Sequence, residues 1–258
     1  MIEVANVYLG WDSREGIAYH VLSDSIIRRS SIPVRICPVG NRTLPGGLWW
    51  REKGRHDSTE FSNARFIIPA LQNYQGWALW ADSDMVALGD LDELWSQRDE
   101  RYAVQVVKHR HVPGEKKKFL GAEQSLYARK NWSSLMLINC GHPACRRLTP
   151  EYVNNAAGLD LHRFEWVPES EVGEIHGLWN VLVAQGHQHP EPVVAEDIKL
   201  LHFTLGGPWH GHQPDGSELW FTALRDLFGR GNPCANVATF PVDETKLAFS
   251  GSFTRFDP

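Results

Sequence analysis

No apolar run in this 258-residue chain approaches the ~20 residues needed to cross a bilayer, which excludes a helical membrane span. The first residues, Met1-Ile2-Glu3-Val4-Ala5-Asn6-Val7-Tyr8, carry no basic region and no long apolar stretch behind it, so no secretory signal is expected. Cysteine is scarce. The four present, at 37, 140, 145 and 234, are spaced irregularly, which excludes a disulfide framework and points to a reducing, cytoplasmic compartment. Cys140-Gly141-His142-Pro143-Ala144-Cys145 has a loosely zinc-like spacing, but no second pair follows and ordinary buried thiols are the simpler reading. Positive charge is not in excess: 26 Lys and Arg against 31 Asp and Glu leave −5, so neither nucleic acid nor an anionic membrane is expected as a bulk partner. Repeats and low-complexity linkers are also missing.

What is present is an ordinary globular composition with 11 tryptophans. Tryptophan grips flat apolar rings, sugar faces included, although its default use is core packing. Apolar patterning predicts strands at residues 2–9, 34–39, 77–86, 102–107 and 134–139. Helices are expected at 14–28, capped by Asp12 or Ser13, and at 63–72, 149–155 and 219–228, with another opening at Asp90, where Glu93 follows the cap by three residues. Strands alternating with helices mean an α/β fold. Residues 1–213 read as one domain, with 214–258 a C-terminal helix and tail packed on it.

The chemistry concentrates in Trp77-Ala78-Leu79-Trp80-Ala81-Asp82-Ser83-Asp84-Met85-Val86, an apolar run ending in two carboxylates one residue apart. Such a run suits a strand buried on both faces, and ligands of open α/β sheets lie beyond the carboxyl ends of the strands. Residues i and i+2 of an extended segment share a side, so Asp82 and Asp84 can face one hard cation, Mg²⁺ or Mn²⁺, with Ser83 turned away. The same residues also suit a turn, where aspartate is common. A second segment, Lys199-Leu200-Leu201-His202-Phe203-Thr204-Leu205-Gly206-Gly207-Pro208-Trp209, sets a histidine ahead of a Gly-Gly pair that lets backbone amides approach an anion. An imidazole beside two carboxylates suits Mn²⁺. Histidines at 109, 111, 187, 189, 210 and 212 make three His-x-His pairs, read as surface or loop residues. Trp49, Trp50, Trp132 and Trp209 are candidate stacking platforms, with packing the commoner role.

Taken in order, these segments resemble the glycogenin-like and lipooligosaccharide galactosyltransferase-like enzymes, and more narrowly a group of bacterial glycosyltransferase-like proteins. Asp82-Ser83-Asp84 with Gly89-Asp90-Leu91 resembles their D-x-D stretch, and Phe61-Ser62-Asn63-Ala64-Arg65-Phe66 their preceding helix. Trp132-Ser133-Ser134-Leu135-Met136-Leu137-Ile138-Asn139 resembles a later strand, and His202-Phe203 with Pro208-Trp209 the terminal element. The resemblance implies a GT-A, Rossmann-like nucleotide-diphospho-sugar transferase fold with a mixed, mostly parallel central sheet. It implies that Asp82, Asp84 and His202 hold Mn²⁺ (or Mg²⁺) against the diphosphate of a nucleotide-sugar, most simply UDP-linked. The sugar would pass, with retention, to a carbohydrate or other hydroxyl acceptor. Tyr8, Gly10 and Asp12 would lie at the base or ribose; Arg65, Ser83 and Lys108 near the donor; Gly206 and Gly207 around phosphate; Asp160 and Asn180 on the sugar side.

The pattern also departs from the family. The lysine usually placed just before the final Pro-Trp is replaced by Gly207, so its charge must come from elsewhere, Lys108 or the lysines at 116–118 being candidates. The aspartate-glutamine pair of the catalytic pocket has only Asp160-Leu161-His162 in its place. Asp82-Ser83-Asp84-Met85-Val86 also fits the haloacid-dehalogenase phosphohydrolases, whose first aspartate is a nucleophile, but 81 residues precede it here. A third reading is a carbohydrate-binding domain that keeps the fold without catalysis.

Overall fold

The structure is a computed structural model and describes residues 3–54, 57–109, 129–183, 195–211 and 213–229. The basic stretch at 116–118, the tail beyond 229, and His111, His187, His189 and His212 lie outside these residues.

Strand β1 (Ala5–Gly10) leads through a turn into helix α1 (Gly16–Arg29), and β2 (Val34–Val39) returns parallel to β1 with Val7 opposite Ile36. Asp12 and Ser13 do not cap α1; Glu15 holds the cap position and makes no side-chain cap bond. The long loop after β2 ends in a 3₁₀ turn (Ala64–Ile67) that runs into the short helix α2 (Ile68–Leu71). Strand β3 (Trp77–Ala81) is buried at every position, as its unbroken apolar run requires of a central strand. Then come β4 (Met85–Ala87), α3 (Leu91–Trp95), β5 (Val104–Val106) and β6 (Leu135–Asn139). Asp90 caps α3 by accepting from Asp92 N, but Glu93 instead pairs with Lys199 Nζ at 2.8 Å. The chain continues through α4 (Pro150–Asn155), α5 (Gly158–His162), β7 (Val172–Glu174), β8 (Val181–Leu182), β9 (Leu200–His202) and α6 (Ser217–Phe228).

Six strands form the central sheet in the order β2-β1-β3-β6-β5-β7. The β1/β2, β1/β3 and β5/β7 pairings are parallel, and β6 runs antiparallel to both its neighbours. A second sheet, β4-β9-β8, stands beside it. One core face gathers Trp80, Phe61, Phe66, Phe164 and Trp166; the opposite face gathers Leu9, Leu22, Leu79, Leu137 and Trp179. A third cluster joins Val86, Leu201, Phe203 and Trp220, and so ties α6 to the small sheet. Most tryptophans are core residues, as composition suggests; Trp50 is the exposed exception, and Trp11, Trp132 and Trp209 are half-buried. No helix among the described residues is long and apolar enough to cross a membrane.

Candidate metal and nucleotide site

Asp82-Ser83-Asp84 is the hinge between the two sheets. It leaves the carboxyl end of β3, where Asp82 N donates to Ser134 O at 2.9 Å, and enters β4. Strand β4 pairs antiparallel with β9 so that Met85 lies opposite His202, and Phe203 N donates to Asp84 O at 2.8 Å. Strand register therefore carries His202, 118 positions later in the chain than Asp84, to the acidic pair. Ligand atoms of Asp82, Asp84 and His202 all lie within 4.8 Å of one another.

The hydrogen-bond network around His202 determines which of its nitrogens faces the acids. The Ser134 hydroxyl donates to the Asn131 carbonyl at 2.6 Å, so it must accept from Asn180 Nδ2 at 2.9 Å. The amide is thereby oriented with Oδ1 toward His202 Nδ1, 2.9 Å away, and an oxygen there needs Nδ1 to carry a proton. In the neutral imidazole Nε2 is then a bare lone pair, 3.2 Å from Asp84 Oδ1, a buried oxygen with no hydrogen-bond partner. Two acceptors this close require positive charge between or beside them. A proton satisfies that condition, and so does a divalent cation. Two carboxylates and one imidazole nitrogen fit Mn²⁺ better than Mg²⁺, which favours oxygen alone.

Asp82 is held from the other side. Its Oδ1 receives Arg65 Nη1 at 2.7 Å and Trp80 Nε1 at 2.9 Å. Arg65 is 5% exposed, and its guanidinium donates also to Ser62 O and Ser133 O and stacks between Phe61 and Trp80 at 5.6 and 5.1 Å. Burial pushes the Asp82 carboxyl up to about 6; the Arg65 charge opposes the rise and the neighbouring Asp84 adds to it. A bound cation would relieve the same stress.

The other expected site residues lie in varied surroundings. Asn180 is fully buried, with its side-chain amide bonded to Ser134 and to His202, where it orients the imidazole. Asp12 is also fully buried: Oδ1 takes Arg14 N and Nε, and Oδ2 takes Arg14 Nη2 and Glu60 N, which clamps the 58–62 loop to the β1–α1 turn. Its oxygens are occupied by protein, and the half-exposed Arg14 is the member of that pair in contact with solvent. Tyr8 packs against the core, and burial raises the pKa of its hydroxyl to about 12, with Cys37 and Cys140 adding to the rise and Arg35 opposing it. Gly10 is required because a Cβ would stand 2.8 Å from the Phe61 ring. Ser83 is turned inward with its hydroxyl unpartnered, as its position between the aspartates predicts. Lys108 lies over the Trp132 ring at 5.9 Å. Asp160 is exposed on α5, and that helix touches the site through His162, whose Nδ1 shares a 2.7 Å bond with Ser133 Oγ.

The Gly-Gly turn has two distinct causes. Gly206 has φ +96°, where side chains are strained, and a Cβ on Gly207 would fall 1.9 Å from the Trp209 ring. That ring occupies the space a lysine side chain would need, so the missing lysine is excluded by packing. Beside this turn sits a pair that sequence patterning did not single out: Glu15 Oε1 and His210 Nε2, 2.9 Å apart. Burial raises the Glu15 carboxyl above its usual range; the Asp84 charge adds to this and His210 opposes it. His109, expected as a surface or loop residue, lies in the loop after β5 but is buried, with its carbonyl taken by Trp132 Nε1.

No family model matches the sequence. The fold is similar to the apo structure of the bifunctional glycosyltransferase WbbM, with 16% identity, TM-score 0.61, and 87% of this chain covering 50% of that one. It is similar to the glycosyltransferase GlyE of Streptococcus pneumoniae TIGR4, with 15% identity, TM-score 0.55, and 85% of this chain covering 59% of that one. It is also similar to the galactosyltransferase LgtC in complex with donor and acceptor sugar analogues, with 16% identity and TM-score 0.53 over 94% of this chain and 100% of that one. The chain thus spans about half the length of WbbM, and the likeness to all three is one of fold, the GT-A glycosyltransferase fold. In sequence it is 44% identical over 227 residues, 85% of this chain and 86% of its relative, to Protein CDI of Arabidopsis thaliana, and it belongs to that protein's family.

Proposed function

We propose that this protein is a metal-dependent glycosyltransferase that moves a sugar, with retention of anomeric configuration, from a nucleotide-sugar (most simply UDP-linked) to an acceptor hydroxyl. The observation that carries the reading is the convergence of Asp82, Asp84 and the lone-pair nitrogen of His202 at the carboxyl end of β3 in a GT-A fold. A divalent cation bound there, Mn²⁺ by the nature of the donor set, supplies Lewis-acid neutralisation of the departing diphosphate. The protein's part is orientation. Asn180 and Ser134 hold His202 in one tautomer, Arg65 holds Asp82, and the Ser134 carbonyl anchors the backbone between them. The glycines at 206 and 207 would let backbone amides approach phosphate closely. The unpaired thiols of Cys37, Cys140 and Cys145 suit a reducing, cytoplasmic setting.

The phosphohydrolase alternative needs Asp82 free to attack, and its Oδ1 is engaged by Arg65 and Trp80. The test is a thermal-shift screen of nucleotide-sugars with and without Mn²⁺, since a ligand that binds only the folded state raises Tm. UDP-sugars are expected to raise Tm only with Mn²⁺, and Asp84→Ala to abolish both that shift and slow UDP-sugar hydrolysis. Turnover of p-nitrophenyl phosphate without any nucleotide response would reject the proposal.

A further inference from the structure

The segment from Thr204 to Gly211 runs between two tethers at the site: Phe203, whose N donates to Asp84 O, and His210, which meets Glu15. Backbone bonds within it run from Gly206 N to Phe203 O, His210 N to Gly207 O and Gly211 N to Pro208 O. Two side chains help to set its position. Trp209 is the apolar anchor, packing on Phe203 and on Trp220 of α6 at centroid distances of 6.1 and 5.3 Å. His210 is the polar one, meeting Glu15 across 195 residues of sequence. Glu15 is 9% exposed, sits at the start of α1 and lies in the field of Asp84, so the bond reaches from the segment to the edge of the acidic pair. The ordinary explanation for a buried carboxylate, helix capping, does not apply, because Glu15 makes no side-chain cap bond. The buried and unpartnered Thr204 Oγ1 and Trp209 Nε1 show that internal hydrogen bonding does not fully satisfy this segment.

From this arrangement we infer that Glu15 and His210 form a positioning clasp: they hold the Gly206–Gly207 turn across the acidic pair, so that the turn, and not a lysine, grips the donor's diphosphate. The inference rests on the glycosyltransferase reading. It separates two events that the metal ligands alone would join. Cation binding belongs to Asp82, Asp84 and His202, whereas nucleotide binding requires in addition that the turn be held in place.

The test uses the full-length protein and the variants Glu15→Ala, His210→Ala, the double variant and Glu15→Gln. In the metal-free protein, amide hydrogen exchange in residues 205–211 is expected to accelerate in both alanine variants and to stay unchanged in the central sheet. With Mn²⁺ present, binding of UDP and UDP-glucose is expected to weaken about tenfold in each single alanine variant and no further in the double, the mark of one shared interaction. Glu15→Gln, which still accepts from the imidazole, should retain most of the affinity. Mn²⁺ affinity itself should stay within about twofold of the parent throughout, on the usual scale of noise against a 1.4 kcal/mol tenfold step. Unchanged exchange, unchanged nucleotide affinity in the alanine variants, or Mn²⁺ affinity falling in parallel would each overturn the clasp. A parent protein that binds neither nucleotide in Mn²⁺ would instead overturn the functional reading, and the exchange measurement would still judge the clasp as a structural tie.

Discussion

Asn180 illustrates how a residue's role follows from hydrogen-bond direction. A carbonyl cannot donate, so the Ser134–Asn131 bond dictates the orientation of each partner up to His202 Nε2. Removing the amide leaves a buried Nδ1–H without its acceptor and frees the ring to change tautomer. Asn180→Ala is therefore expected to lower Mn²⁺ affinity by about 10–100-fold with the fold intact, as measured by calorimetric titration. Arg65 is a different case, a buried charge whose partner is largely buried, with 14% of the Asp82 side chain exposed. Arg65→Met should destabilise the protein by about 3–5 kcal/mol in urea unfolding, because Asp82 would be left without its counter-charge. Adding Asp82→Asn should recover a large part of that loss, since the unpaired carboxylate and not the missing guanidinium is what destabilises. These residues had uneven signatures in sequence. Asp82 and Asp84 stand out by spacing and His202 by the turn that follows it, whereas Ser134 and Asn180 are ordinary residues whose importance comes from whom they touch.

Among the elements, the β3–β4 hinge and the turn after β9 do different work. The hinge is specified locally: an apolar strand ends, two acids follow, and a second short strand begins. The turn depends on a conformation that only glycine adopts easily, φ +96° at Gly206. Gly206→Ala is expected to lower stability by about 1–2 kcal/mol and to weaken Mn²⁺-dependent nucleotide binding, leaving cation binding unaffected. Equal loss of cation binding would show the turn to be part of the metal site. Helix boundaries were partly legible. Asp90 caps α3 as patterning suggests, and the helix expected over 149–155 begins at Pro150, with Thr149 capping it by accepting from Tyr152 N. Asp12 misleads because a buried aspartate in a turn has the same local signature whether it caps a helix or clamps a distant loop; only its partners, Arg14 and Glu60, separate the two.

Across the whole molecule, the two sheets and three apolar clusters shield groups that would otherwise react. Cys140 and Cys145 are buried, and burial raises both thiols, Cys145 to about 12, so that the nucleophilic thiolate is scarce at neutral or mildly alkaline pH. Cys37 is exposed. At pH 8 an alkylating reagent is expected to modify Cys37 in the native protein and to reach Cys140 and Cys145 only on unfolding, as read by peptide mass mapping. Early modification of Cys145 would mean that the sheet around β5 and β6 opens locally.

The order of apolar runs, turns and acids along the chain determined the α/β class, the central buried strand, the placement of two carboxylates at its end and the candidate histidine. These are properties of neighbours in sequence, set by side-chain periodicity and backbone preference. Tertiary structure decided the rest: the antiparallel register that seats His202 beside Asp84, the buried bonds that turn Asn180 and Asp12 into positioning groups, the Trp209 ring that excludes a lysine at 207, and the meeting of Glu15 with His210. Each of these depends on which strand lies beside which and on the direction of single hydrogen bonds, quantities that arise only when distant segments pack together.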